Sequence, residues 1–287
     1  MEYRTLNNGV QMPVVGLGTH KIPNDQLGNV IKTAYEVGYR KFDTAWLYQN
    51  EQVIGDTLKK YSIPRDHIFI TSKLHIDDMY WHGYHHRLLN IRVRSVKKAF
   101  EGSCKRLGTD YLDLYLVHWP FPGYEKMWEE LIKLYRDGRI RAIGISSFLP
   151  HHIEDLLKHS DVIPQVNQFE INPRNSQVDE TLFNQKMGIQ VEAYASFGTT
   201  FKNENASTDI LGNENILEIA ANHKKTPSQV VLRWTVQRGV SVIPRSKSRG
   251  HLAENLDIFD FELTDEEMSA IYAMNMNRYS RGNPHKA

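Results

Sequence analysis

Four polar residues of this chain are of types that together can place a proton on a carbonyl oxygen: Asp43, Tyr48, Lys73 and His118. Asp43 ends one apolar run, Tyr48 follows in the loop behind it, Lys73 ends the next run and His118 the one after. A phenol is a poor acid, with a solution pKa of about 10. A neighbouring ammonium stabilises phenolate and makes the phenol a better donor. Lys73 can supply that ammonium, a carboxylate at Asp43 would hold it charged and oriented, and His118 can aim a hydrogen bond at a polarised carbonyl oxygen. Each also has a plain structural alternative. A strand-end aspartate is often a helix cap, Tyr48 can be a wall residue, Lys73 a surface charge, and His118, beside Trp119 and Pro120, a buried turn residue.

These residues act together only if the fold brings their strand ends to one rim. Eight short apolar runs alternate with amphipathic stretches: Val14 to Leu17, Lys41 to Asp43, Ile68 to Thr71, Leu112 to Val117, Ala142 to Ile145, Gln165 to Gln168, Gln190 to Ala193, and Val240 to Ile243. A hairpin pattern precedes them, with Asn7-Asn8-Gly9 at its turn between Tyr3 to Leu6 and Val10 to Met12. Helix signals lie between the runs, as where Asn24-Asp25 leads into Leu27, Val30, Ile31 and Ala34 and Gly38 closes the segment. Such alternation predicts a parallel sheet. Eight units predict an α/β fold of a single (β/α)8 TIM barrel with an N-terminal β-hairpin, one domain over residues 1–287. Active sites of such barrels lie at the carboxyl ends of the strands. Two segments at that end exceed ordinary loops, His75 to Asn90 and Ser196 to Asn215, and are expected to serve as lids or pocket walls.

Charge limits the partners. With 35 basic and 34 acidic residues among 287, the formal charge is +1, which argues against a nucleic-acid coat or a membrane-surface protein. The lone Cys104 fits a reducing compartment. No run approaches the length of a membrane span and the first residues carry no leader pattern, so the expected location is the cytoplasm.

Longer motifs narrow the chemistry. GYRKFDTAWLYQNE begins at Gly38 and DYLDLYLVHWP at Asp110. VVGLGTH at Val14, FITSKL at Phe69, GISS at Gly144, VNQFEIN at Val166, VEAYASFG at Val191, PSQVVLRW at Pro227 and IPRSKSRGHLAEN at Ile243 extend the pattern along nearly the whole chain. In these segments the chain resembles the aldo-keto reductase family, in particular prokaryotic members related to diketogluconate and aldehyde reductases. The resemblance implies NAD(P)H-dependent reduction of an aldehyde or ketone, with Asp43, Tyr48, Lys73 and His118 as the catalytic tetrad and Tyr48 as proton donor. A histidine at position 118 separates the chain from the family's steroid double-bond reductases, which place Glu there.

By the same resemblance, Tyr194 stacks on the nicotinamide, Gln168, Ser146 and Ser147 meet its carboxamide, and Thr19 and Asp43 touch the adjoining ribose. Phe197 and Thr199 line the pyrophosphate, Arg245, Ser246 and His251 face the adenosine 2′-phosphate, and Glu254 and Asn255 face the adenine. His20, Leu47, Trp81, His118 and Trp119 face a small-molecule carbonyl substrate. The expected protein is a monomer without metal. NADP(H) is the favoured cofactor and NAD(H) a second one.

Departures from the family pattern matter. Ser147 stands where asparagine is usual, and Ala195-Ser196-Phe197-Gly198 where serine, proline, leucine and glycine are usual. Arg245 replaces the usual lysine and His251 the usual arginine. A neutral imidazole cannot match a guanidinium against a phosphate dianion, which predicts relaxed cofactor choice.

Two other classes remain open in the sequence. One is a nucleotide-bound regulatory or sensor barrel with little turnover. The other is a metal-dependent hydrolase using His75, Asp77, Asp78, His82, His85 and His86. Those histidines lack a second cluster at fixed spacing, so a polar loop is the preferred reading, with Met79, Tyr80, Trp81 and Tyr84 walling a substrate pocket.

Overall fold

A computed structural model describes residues 2–76, 95–198, 210–280 and 284. The chain opens with the antiparallel hairpin β1 (Tyr3–Thr5) and β2 (Gln11–Pro13), paired with Tyr3 opposite Pro13. Eight further strands follow: β3 (Leu17–Gly18), β4 (Lys41–Asp43), β5 (Phe69–Leu74), β6 (Leu112–Val117), β7 (Ile140–Ser146), β8 (Val166–Glu170), β9 (Gln190–Tyr194) and β10 (Ser241–Val242). They form one sheet in sequence order, and every neighbouring pair is parallel. A bridge from Val15 to Val242 joins its two edges, with Gly16 N–H donating to Val242 O and Val242 N–H to Val14 O, both at 2.8 Å. The sheet is therefore closed, as the alternation of runs predicts.

Helices cover its outside. They are α1 (Asn24–Val37), α2 (Glu51–Lys60), α3 (Val96–Leu107), α4 (Tyr124–Arg136), α5 (Pro150–Lys158), α6 (Val178–Lys186), α7 (Glu214–His223), α8 (Pro227–Gln237), α9 (Arg249–Leu256) and α10 (Asp265–Tyr272). In α1 the apolar stripe Leu27, Val30, Ile31 and Ala34 is buried. The helix stops at Gly38, whose φ of 115° is a left-handed conformation that costs glycine little. Pro227 starts α8, with the Thr226 side chain accepting from Gln229 N–H in a capping box.

The hairpin plugs the amino-terminal end of the barrel. Leu6 and Met12 pack against Phe69, Leu114, Leu116, Ala142 and Val166, while Asn7 and Asn8 donate to Pro164 O at 3.0 Å and Arg141 O at 2.9 Å. Leu114 and Leu116 of β6 join this inner layer, whereas their strand neighbours Tyr115 and Val117 pack in the larger cluster. That split follows the two-residue period of a strand. A route for ligand is left at the carboxyl ends.

Candidate active site

Strand β4 is three residues long, and its end is tied down by Thr19, whose N–H and hydroxyl donate to Asp43 O at 3.0 and 2.8 Å. The loop behind it makes a short 3-10 turn, Trp46–Tyr48, which ends at Gln49 with a left-handed φ of 52°. The Thr44 hydroxyl donates to Asn50 Oδ1, and Asn50 Nδ2 donates to the Thr19 hydroxyl, so the loop that carries Tyr48 is fastened to β3 and β4.

Lys73, on β5, is wholly buried. Its Nζ donates to both oxygens of Asp43 at 2.7 Å and to Thr44 O at 3.0 Å, and lies 3.5 Å from Tyr48 Oη. Burial favours loss of the lysine's proton, but the Asp43 carboxylate outweighs it, and the amine is held above its ordinary value. Burial pushes the Asp43 carboxyl up, against the pull of Lys73, and the nearby Glu192 carboxylate adds to the rise. Lys73 is thus not a surface charge, and Asp43 is not a helix cap.

Two imidazole rings flank the Tyr48 ring. His20 lies 4.6 Å and His118 5.9 Å from the Tyr48 ring, centroid to centroid. His118 meets His75 edge-on at 5.6 Å, and His75 packs against Phe121 at 5.1 Å and Trp46 at 6.1 Å. His75 therefore belongs to an aromatic cluster. The other members of the histidine loop, His82, His85 and His86, lie outside the described residues together with Asp77, Asp78, Met79, Tyr80, Trp81 and Tyr84.

These groups open onto a cavity of about 390 Å³. Its wall includes Asp43, Tyr48, His118, His20 and Trp119, and also Ser146, Ser147, Gln168, Tyr194, Phe197 and Arg245. Lys73 stands behind Asp43, and Thr19 supports the main chain without lining the cavity. Leu47 is exposed on the 3-10 turn and does not line the cavity. Ser246, His251, Glu254 and Asn255 lie on or before α9, apart from the cavity wall: His251 is exposed, while Asn255 is buried. Thr199 falls outside the described residues.

The lining suits an aromatic amide joined to an anion. Tyr194 offers a ring, Ser146, Ser147 and Gln168 offer polar groups for an amide, and Arg245 offers a fixed positive charge. Ser196, also in the wall, has a buried hydroxyl with no hydrogen-bond partner among the described residues. An orphaned donor of this kind is what a ligand oxygen would satisfy.

Sequence reasoning passed over Lys41 and Glu192, both wholly buried and ion-paired beneath the cavity. The signal was present, since each is a charged residue within a short run that reads as a buried strand, where a charge needs a partner.

The Aldo/keto reductase family pattern matches residues 14–276. Glyoxal reductase of Bacillus subtilis (strain 168) is 42% identical over 281 residues, covering 97% of this chain and 95% of that protein. Methylglyoxal reductase DkgA of Escherichia coli O157:H7 is 35% identical over 276 residues, covering 95% and 93%. A crystal structure of a Gox0644 mutant in complex with NADPH superposes with a TM-score of 0.86 at 35% identity, covering 99% of this chain and 98% of that one.

Proposed function

This chain belongs to the aldo/keto reductase family, an oxidoreductase that reduces aldehydes or ketones with a nicotinamide cofactor, and from that premise we propose that its substrates are short 2-oxoaldehydes. The names of the glyoxal and methylglyoxal reductases it resembles support this choice of substrate. So do His20, Tyr48 and His118, clustered on the cavity wall, which suit a small carbonyl with a second oxygen.

One observation carries the chemistry: the Tyr48 hydroxyl, on the cavity wall, lies 3.5 Å from a buried ammonium. Tyr48 gives its proton to the carbonyl oxygen, and Lys73 stabilises the phenolate left behind. Asp43 keeps Lys73 charged and aimed. His118 orients the carbonyl. A nicotinamide cofactor held there would supply the hydride that reduces the carbonyl carbon. Tyr194, Ser146, Ser147 and Gln168 hold the nicotinamide end, Phe197 with Thr199 the pyrophosphate, and Arg245, Ser246 and His251 the adenosine phosphate, with Glu254 and Asn255 at the adenine.

NADPH is the tighter cofactor in this proposal, because Arg245 and Lys247 are full charges, and NADH is usable because His251 is not a guanidinium. The same reading takes residues 1–287 as one domain acting as a cytoplasmic monomer. Following NADPH and NADH consumption with methylglyoxal, glyoxal, simple aldehydes and sugars tests it. Turnover of the 2-oxoaldehydes no faster than of simple aldehydes or sugars would reject the substrate class.

A further inference from the structure

A second buried ion pair is joined to the first through one amide. Lys41 Nζ donates to Glu192 Oε1 at 2.5 Å, with both side chains wholly buried. Gln168 Nε2 donates to Glu192 Oε2 at 2.7 Å and to Asp43 Oδ2 at 2.8 Å. An amide set between two carboxylates must put its nitrogen there, since an ionised carboxylate only accepts. Both N–H groups of Gln168 are thereby used. The atom left for a ligand is Oε1, which accepts no hydrogen bond from the described residues. Turning the amide over would set its oxygen against a carboxylate, so its orientation is fixed before any ligand arrives.

The fold makes room for this arrangement. A Cβ on Gly16 would come within 2.4 Å of Lys41 Cε, so the glycine opens the path by which the lysine reaches Glu192. Lys41 also solves a charge problem: without it, Glu192 and Asp43 would be two carboxylates on one amide with only Lys73 to balance them. Neither Lys41 nor Glu192 lines the cavity, and Gln168 is the hydrogen-bonded link between that pair and the cavity wall.

We infer that the Lys41–Glu192 pair is a positioning device that locks Gln168 as a hydrogen-bond acceptor, so that the site selects the N–H of a carboxamide. This rests on the assignment of Gln168 to the nicotinamide end made above. Glu192→Gln places an amide that can donate as well as accept beside Gln168, which leaves Asp43 alone to fix the amide's orientation and loosens it.

The test is binding, read by fluorescence or calorimetry with three probes: NADPH, reduced nicotinamide mononucleotide, and 2′,5′-ADP, which carries only the adenosine half. In Glu192→Gln the two nicotinamide probes should bind about tenfold more weakly, the scale of one or two hydrogen bonds. Affinity for 2′,5′-ADP should stay within about twofold of the wild type. Lys41→Met/Glu192→Gln leaves no orphaned lysine and should show the same split while melting near the wild-type temperature. Unchanged NADPH affinity in a folded variant, or equal weakening of all three probes, overturns the inference. A wild type that binds neither nicotinamide probe overturns the cofactor assignment itself, and this inference with it.

Discussion

Lys73 gives both oxygens of Asp43 a hydrogen bond of 2.7 Å while the same ammonium stands 3.5 Å from Tyr48 Oη. One buried charge therefore serves a carboxylate and a phenol at once. Its loss is felt by both.

Tyr48→Phe removes the proton donor and leaves the ring in place. Turnover should fall on the order of 10²-fold to 10⁴-fold, the usual worth of a positioned general acid. Nucleotide titration should be unchanged. Near-normal turnover in a variant that still binds nucleotide would show that the proton comes from elsewhere.

The Lys73 amine is held above its ordinary value once the attraction of Asp43 has overcome burial. A raised folded value means that the lysine's contribution to stability is complete below the unfolded value of about 10.4 and is lost as pH rises through the folded one. The melting temperature of the wild type minus that of Asp43→Asn/Lys73→Met should hold between about pH 8 and 10 and fall above that window. A difference that grows between about pH 10 and 11.5 contradicts the sign.

Much of this site was legible because barrel catalysis is written at strand ends. Asp43, Lys73 and His118 follow strand residues in the sequence, and β4, β5 and β6 deliver them to one rim. Alternating apolar runs gave the closed sheet for the same reason. Lys41 and Glu192 were hidden by averaging. A run such as Lys41 to Asp43 reads as a strand whatever its individual members do, and only the closed barrel shows that a lysine on β4 meets a glutamate on β9. The adenosine end was legible as motif and not as geometry, since His251 on α9 is exposed and outside the cavity wall.

Ser147, where the family usually has asparagine, sits at a left-handed φ of 62°. Asparagine adopts that region more readily than serine. Ser147→Asn should therefore raise stability by about 0.5 kcal/mol, a shift of about 1 °C for a protein of this size. The serine's contact with Tyr194 Oη, at 3.3 Å, is what the substitution risks. A lower melting temperature by scanning calorimetry would mean that this contact outweighs the backbone preference.

His251→Arg adds a permanent charge beside the assigned adenosine phosphate. The ratio of kcat/KM for NADPH to that for NADH should rise by roughly 1 to 2 kcal/mol, the scale of one charged hydrogen bond. A wild type already rejecting NADH by more than about a thousandfold, near 4 kcal/mol, would remove the basis for relaxed choice.

The bridge from Val15 to Val242 also dictates an order of events during synthesis. Its two sides are separated by more than two hundred residues, so the first strand of the barrel waits for its second neighbour until most of the chain has left the ribosome. Throughout that interval the nascent sheet carries two open edges, each able to pair with another unfinished copy. A ribosome stalled before Ser241 would therefore present an adhesive half-built cylinder in place of a smaller enzyme.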